Sequence, residues 1–302
     1  MEIVERIREL KKKRNAVILV HNYQIPEVHD IGDYVGDSLG LSIEAAKTDA
    51  DVIVFCGVYF MAETAKILSP GKTVIIPDKS AGCPMANMIT GEQLRNLKAQ
   101  HPRAKVLCYV NTTAEVKAES DLCCTSANAV AMVENVLKDE KEIIFVPDKH
   151  LADFVSEKTG RDFIAWDGYC PTHAKILPEE LVEQKRRHPA AKVIAHPECP
   201  RPIRHLSDIV ISTEGMCRYV KEIPDKEIIV ATEKGIIHRL QKENPGKIFY
   251  PVTDRTVCPN MKRINLEKVL WAMEDMQHPV DVPAEIAGRA RQAIERMLNY
   301  TE

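Results

Sequence analysis

Three times in this chain an apolar, strand-like segment is followed by a Cys-Pro pair: Cys83 in GCPMAN, Cys170 in YCPTHA and Cys258 in VCPNMK, spaced by 87 and then 88 residues. The rest of the chain repeats with them. Offsets of 88 and 87 align AVILVHNYQIPEVHDIGDYVGDS (from Ala16) with KVLCYVNTTAEVKAESDLCCTS (from Lys105) and KVIAHPECPRPIRHLSDIVIST (from Lys192). Polar residues fall into columns: His21, Tyr109 and His196; Tyr23, Asn111 and Glu198; Asp33, Asp121 and Asp208; Ser38, Ser126 and Thr213. An internal repeat of this period decides the architecture before any other feature does.

Each unit opens with a helical segment: VERIRELKKKR, GEQLRNLKAQHP or PEELVEQKRRHP. Near-continuous apolar runs follow, such as DVIVFCGV, EIIFVPD and EIIVATE, separated by helices. Such runs are the signature of parallel strands covered on both faces. The expected fold is α/β: three parallel-sheet domains related by a pseudo-threefold axis, with the site at their common interface. The expected units are 1–83, 84–170 and 171–258. A helical extension, 259–302, contains a fourth helix pattern, LEKVLWAMEDMQ, and is expected to pack back on the first unit. Length alone, 302 residues, suggests about two domains; the repeat raises the number to three.

Ligands of open parallel sheets bind beyond the carboxyl ends of the strands. The aligned polar residues and the Cys-Pro pairs all fall there, and a threefold axis brings equivalent strand ends together. Three convergent thiolates suit soft metals. An iron–sulfur cluster with one open iron fits this set, and so does zinc with three Cys ligands and an open position. Residue types do not separate them. The nine cysteines form no C-x-x-C pair, and their odd number excludes a complete disulfide framework. Cys56 and Cys108 read as core thiols, and Cys199 lies in the HPECP loop.

Other classes are excluded by composition. A net charge of −3 offers no footprint for nucleic acid, and the basic run 11–14 reads as a solvated helix end. No 18-residue apolar stretch exists to span a membrane. The N-terminus lacks the pattern of a signal peptide, so a cytoplasmic location is expected. SPGKT (from Ser69) lacks the first glycine of a P-loop, and HPECPRP lacks the P-C-x-x-C of zinc deaminases.

With these residues assembled, the chain resembles the quinolinate synthase family, the A-protein of de novo NAD biosynthesis, over nearly its full length. The motifs are HNYQIPEVHDIGDYVGDS (21–38), PDKSAGCPMAN (77–87), YVNTTAEVKAESDLCCTSANA (109–129), HPECP (196–200), TEKGIIH (232–238) and CPNMK (258–262). The resemblance implies condensation of iminosuccinate (iminoaspartate) with dihydroxyacetone phosphate to quinolinate, phosphate and two waters. It implies a [4Fe-4S] cluster on Cys83, Cys170 and Cys258. It also implies Tyr23 and Glu198 in acid–base steps, with His21, Tyr109 and His196 orienting the intermediates. Ser38, Asn111, Ser126 and Thr213 are then substrate hydrogen-bonders, joined by His173, three residues after Cys170. A transient partner that makes the unstable iminosuccinate fits this chemistry. One departure stands out: some family members carry C-x-x-C-x-x-C ending at the last cluster cysteine, and here Val252 and Arg255 replace the first two, so a disulfide switch there is not expected. Two rivals share the residues: another iron–sulfur hydro-lyase acting on a small carboxylate, and a non-catalytic cluster or zinc protein. Asp33, Asp121 and Asp208 read as structural. His29, His101, His150, His188, His205 and His278 read as surface or loop residues, and His238 is left without a role.

Overall fold

A computed structural model describes residues 2–300. Among the described residues, twelve short strands form three four-stranded sheets. The first holds β1 (Ala16–His21), β2 (Tyr34–Gly36), β3 (Val52–Cys56) and β4 (Thr73–Ile75). The second holds β5 (Lys105–Tyr109), β6 (Leu122–Cys124), β7 (Ile143–Val146) and β8 (Ile164–Ala165). The third holds β9 (Lys192–Ala195), β10 (Ile209–Val210), β11 (Glu227–Ala231) and β12 (Ile248–Pro251). Every pairing is parallel, and the order second–first–third–fourth recurs in each sheet. The three-unit α/β fold expected from the repeat is the one observed.

The strands form where β-branched and aliphatic residues run together, and they are covered on both faces. All five residues of β3 and all four of β7 are buried. The aspartate column explains how each unit sets its register. Asp33 Oδ2 accepts the Ile18 N–H at 2.9 Å, Asp121 Oδ2 that of Val106 at 2.9 Å, and Asp208 Oδ2 that of Val193 at 2.7 Å. Each side chain ties the first strand to the approach of the second. The repeat is thus preserved at the level of single hydrogen bonds, and these aspartates are structural.

The C-terminal segment reaches two units. Helix Leu266–Asp275 lies on helix Ile3–Lys13, where Arg14 Nε donates to the Met273 carbonyl at 2.8 Å. Helix Ala284–Leu298 instead covers helix Ala114–Ala118 and β6, burying Ala290, Ala293, Ile294 and Met297. Among the described residues no helix is long and apolar enough to cross a membrane.

Candidate active site

The carboxyl ends of the three sheets converge on one cavity of about 670 Å³, its open mouth included. All thirteen residues singled out from the sequence line it: His21, Tyr23, Ser38, Cys83, Tyr109, Asn111, Ser126, Cys170, His173, His196, Glu198, Thr213 and Cys258. Parallel topology is the cause, because it sends every first-strand end to the same side of its sheet.

Each thiol sits at the head of a matching turn. A 3₁₀ turn follows each Cys-Pro: Met85–Asn87, His173–Lys175 and Met261–Arg263. The backbone N–H three residues on, at Ala86, His173 and Met261, reaches the sulfur in each case. Burial pushes all three thiols up, Cys83 to about 12. Backbone donors favour the thiolate, and metal ligation requires it. Three soft sulfurs, each with its own N–H donor, in the wall of one cavity are a donor set that fits a metal cluster. Cys170 Sγ also lies within 4.8 Å of ligand atoms of His173 and Glu198. The other cysteines, Cys56, Cys108, Cys123, Cys124, Cys199 and Cys217, are free and buried. Cys199 is spent on the Ala231 carbonyl, 3.2 Å away.

The strand ends supply the acid–base groups. His21 Nδ1 accepts the Tyr23 N–H at 3.1 Å, and His196 Nδ1 accepts the Glu198 N–H at 3.3 Å. Burial lowers both imidazoles to about 3, so both rings are neutral near pH 7. With Nδ1 accepting, the proton resides on Nε2, from which His196 donates to Ser126 Oγ at 3.1 Å. Glu198 is the hub. Its Oε1 accepts from Tyr109 Oη at 2.6 Å and from Asn111 Nδ2 at 3.2 Å. Its Oε2 lies 2.8 Å from His173 Nδ1, without the alignment of a hydrogen bond. Burial raises a carboxyl; here the facing His173, then His196 and the Tyr109 hydroxyl, outweigh it and hold Glu198 below the usual carboxylate range. Burial and then the Glu198 charge drive the Tyr23 phenol the other way, well above its ordinary value. Asn111 Oδ1 is buried with no hydrogen-bond partner among the described residues.

Several residues escaped the sequence reading. Phe60, Met61, Met85 and Met261 form apolar wall, and no polar column marks them. Glu233 is fully buried; its Oε1 accepts the Cys258 N–H at 3.0 Å and its Oε2 the Gly235 N–H at 2.7 Å. Lys262 Nζ pairs with Glu233 at 3.1 Å and also donates to the Tyr23 carbonyl. A Cβ at Gly235 would lie 2.6 Å from Lys262 Nζ and 2.7 Å from Glu233 Oε2, so a larger residue there requires both side-chain ends to move. Equivalent third-strand ends are Cys56, Val146 and Ala231, opposite Val20, Cys108 and Ala195. From Cys56 to Val146 is 90 residues and from Val146 to Ala231 is 85, so a fixed offset of 88 or 87 misaligns this column. His29 is a correction: it is buried, not superficial, with Nε2 3.2 Å from the His21 carbonyl.

Fold and cavity together define a class: three-unit parallel α/β proteins in which sulfur donors suited to a metal cluster face acid–base side chains. Comparison with known proteins agrees. The family model described as quinolinate synthetase A protein matches residues 5–299. A Dehalococcoides mccartyi protein named quinolinate synthase is 56% identical over 296 residues, covering 98% of this chain and 97% of its own. Quinolinate synthase 1 of Methanosarcina acetivorans is 54% identical over 297 residues, with 98% and 97% covered. A Thermodesulfovibrio yellowstonii quinolinate synthase is 52% identical over 296 residues, again with 98% and 97% covered. This chain belongs to the quinolinate synthetase A protein family.

Proposed function

We propose that the chain makes quinolinate from iminosuccinate and dihydroxyacetone phosphate, releasing phosphate and two waters. The observation that carries this reading is the convergence of three Cys-Pro thiols with an acid, a counter-ion and neutral imidazoles in one cavity. A [4Fe-4S] cluster on Cys83, Cys170 and Cys258 would leave one iron without a protein ligand and so supply Lewis acidity for dehydration.

The remaining roles follow from charge and donor direction. Both substrates are anions. Ser38 and Thr213 are the first residues of ten-residue helices, whose positive ends favour carboxylate and phosphate. Ser126 and Asn111 add donors between them. His21 and His196, neutral, offer Nε2–H to substrate oxygens without adding charge. Tyr23 keeps its proton until a leaving hydroxyl takes it. Glu198, held ionised, is a poor base at rest; its role is to stabilise positive charge on His173, which carries the moving proton. Because iminosuccinate hydrolyses in water, delivery by transient contact with the enzyme that makes it fits this reading.

The test is anaerobic incubation of purified protein with iminosuccinate and dihydroxyacetone phosphate. Quinolinate appears, and Cys83→Ala, Cys170→Ala and Cys258→Ala each abolish it together with iron content and visible absorbance. Full iron and full activity in any one of the three would remove that cysteine from the ligand set. A colourless protein with stoichiometric zinc would overturn the cluster.

A further inference from the structure

Asn22 stands between the site residues His21 and Tyr23 and is fully buried. Its side chain crosses from the first unit into the third. Nδ2 donates to Thr213 Oγ1 at 2.9 Å, at the start of helix Thr213–Glu222. Oδ1 accepts from Arg239 Nη1 at 2.8 Å, on helix Ile236–Glu243. Arg239 is itself held fast. It grips Glu214, the residue after Thr213, through Nη1 at 2.7 Å and Nη2 at 3.0 Å, and Glu243 through Nε at 2.7 Å.

These contacts fix a direction. A guanidinium carries only donors, so the amide atom facing Arg239 must be the oxygen. The amide nitrogen is thereby turned to Thr213. That nitrogen only donates, so the Thr213 oxygen accepts and its single hydrogen points elsewhere. Among the described residues no acceptor takes that hydrogen, and Thr213 lines the cavity. The amide is not a requirement of the turn, because the residues after Tyr109 and His196 are Val110 and Pro197. Ser126 is set in the same sense by different means, since His196 Nε2 donates to its Oγ from the third unit. Two of the three hydroxyls in the aligned column therefore accept from a neighbouring unit and present their hydrogen to whatever fills the cavity.

We infer that Asn22, oriented by Arg239, is a positioning residue that holds the Thr213 hydroxyl as a donor to an anionic oxygen of the substrate. A carboxylate or phosphate oxygen accepts without returning a hydrogen, whereas an ammonium group has only donors and finds no partner there. The arrangement thus selects for an anion without placing a full positive charge in the cavity. This role rests on the proposed reading of Thr213 as a substrate hydrogen-bonder.

The test is binding, which needs no turnover. Quinolinate and inorganic phosphate are titrated separately into the iron-loaded protein by calorimetry, and the probe that responds distinguishes a carboxylate from a phosphate at Thr213. Asn22→Asp keeps the shape but replaces the donor with an acceptor, so the Thr213 hydrogen turns away from the cavity. Kd for at least one probe should rise about 10- to 100-fold. Asn22→Leu removes the amide without supplying an acceptor, and the rise should be smaller, about three- to tenfold. Both losses should vanish in a Thr213→Val background, where repulsion by an added charge or a packing defect would persist. Iron content and the urea midpoint identify the folded variants, and the Leu variant completes the cycle without the Asp one. Unchanged Kd for both probes, a larger loss in Asn22→Leu than in Asn22→Asp, or equal losses with and without the Thr213 hydroxyl overturns the inference. So does a wild-type protein that binds neither probe. The expected pattern in a protein that makes no quinolinate counts against the proposed reaction instead.

Discussion

The turn His21-Asn22-Tyr23 in the first unit and the turn His196-Pro197-Glu198 in the third are built on one frame. In both, a buried histidine at the strand end accepts the N–H two residues on through Nδ1, at 3.1 Å and 3.3 Å. In both, burial leaves the imidazole neutral. The residues that follow are opposite in kind. Tyr23 is an acid whose proton is held tightly; Glu198 is an anion held ionised. The difference lies in what faces each side chain. Glu198 has His173 against one oxygen and the Tyr109 and Asn111 donors on the other. Tyr23 has the Thr232 hydroxyl and, further off, the Glu198 charge. Repetition supplies the backbone frame, while burial and the facing groups, His173 against Glu198 and the Glu198 charge toward Tyr23, set the sign of the chemistry.

Removing the charge from the third-unit turn should break this contrast most severely. Glu198→Gln keeps the shape but withdraws the counter-ion from His173 and turns one acceptor into a donor. Quinolinate formation should fall by about 10³-fold or more with iron retained, measured by single turnover; a loss under tenfold would mean that the contact with His173 is incidental. The matching change in the first unit is smaller. Tyr23→Phe should cost about 10²-fold in kcat.

The frame was legible in the sequence because duplication wrote it three times. The Cys-Pro heads, the strand-end column His21, Tyr109 and His196, and the aspartates that fix register all keep offsets of 88 and 87. All thirteen named residues reach the cavity for that reason. The residues missed are of two kinds. Thr232 and Glu233 sit where the interval changes to 90 and 85, so no column formed. His29 reads as a loop residue because one histidine in a polar stretch carries no periodic signal. Its burial follows from the docking of helix Pro26–Ile31 beneath β1, a tertiary effect.

The smallest effect tests the feature the two turns share. A histidine held neutral by burial binds its proton in the unfolded chain but not in the native one. The unfolded pKa is about 6.5, against about 3 for His21 and His196 and about 4 for His29 in the fold. Between these values the unfolded state carries more protons, so stability rises with pH. Stability is fully present above about 6.5 and declines as pH falls toward the folded values. Each such histidine contributes a slope of up to about 1.4 kcal/mol per pH unit. Buried carboxyls raised above their ordinary values, Asp148, Glu63 and Asp37, act in the opposite sense, so the histidine contribution is read as the difference in slope between wild type and a histidine variant from pH 5.5 to 4.5. His21 faces His29, Glu198, His196 and Lys262, and His196 faces Glu198 and His173; these neighbours tune the folded values without reversing the sign. Urea unfolding at stepped pH measures that difference. The slope should be lower by up to about 1.4 kcal/mol per pH unit in His196→Gln, which removes one of the four rings, with His21, His29 and His150, that burial lowers. An unchanged slope would mean that His196 is charged in the native protein, and the shared neutral frame would hold only for the first-unit turn.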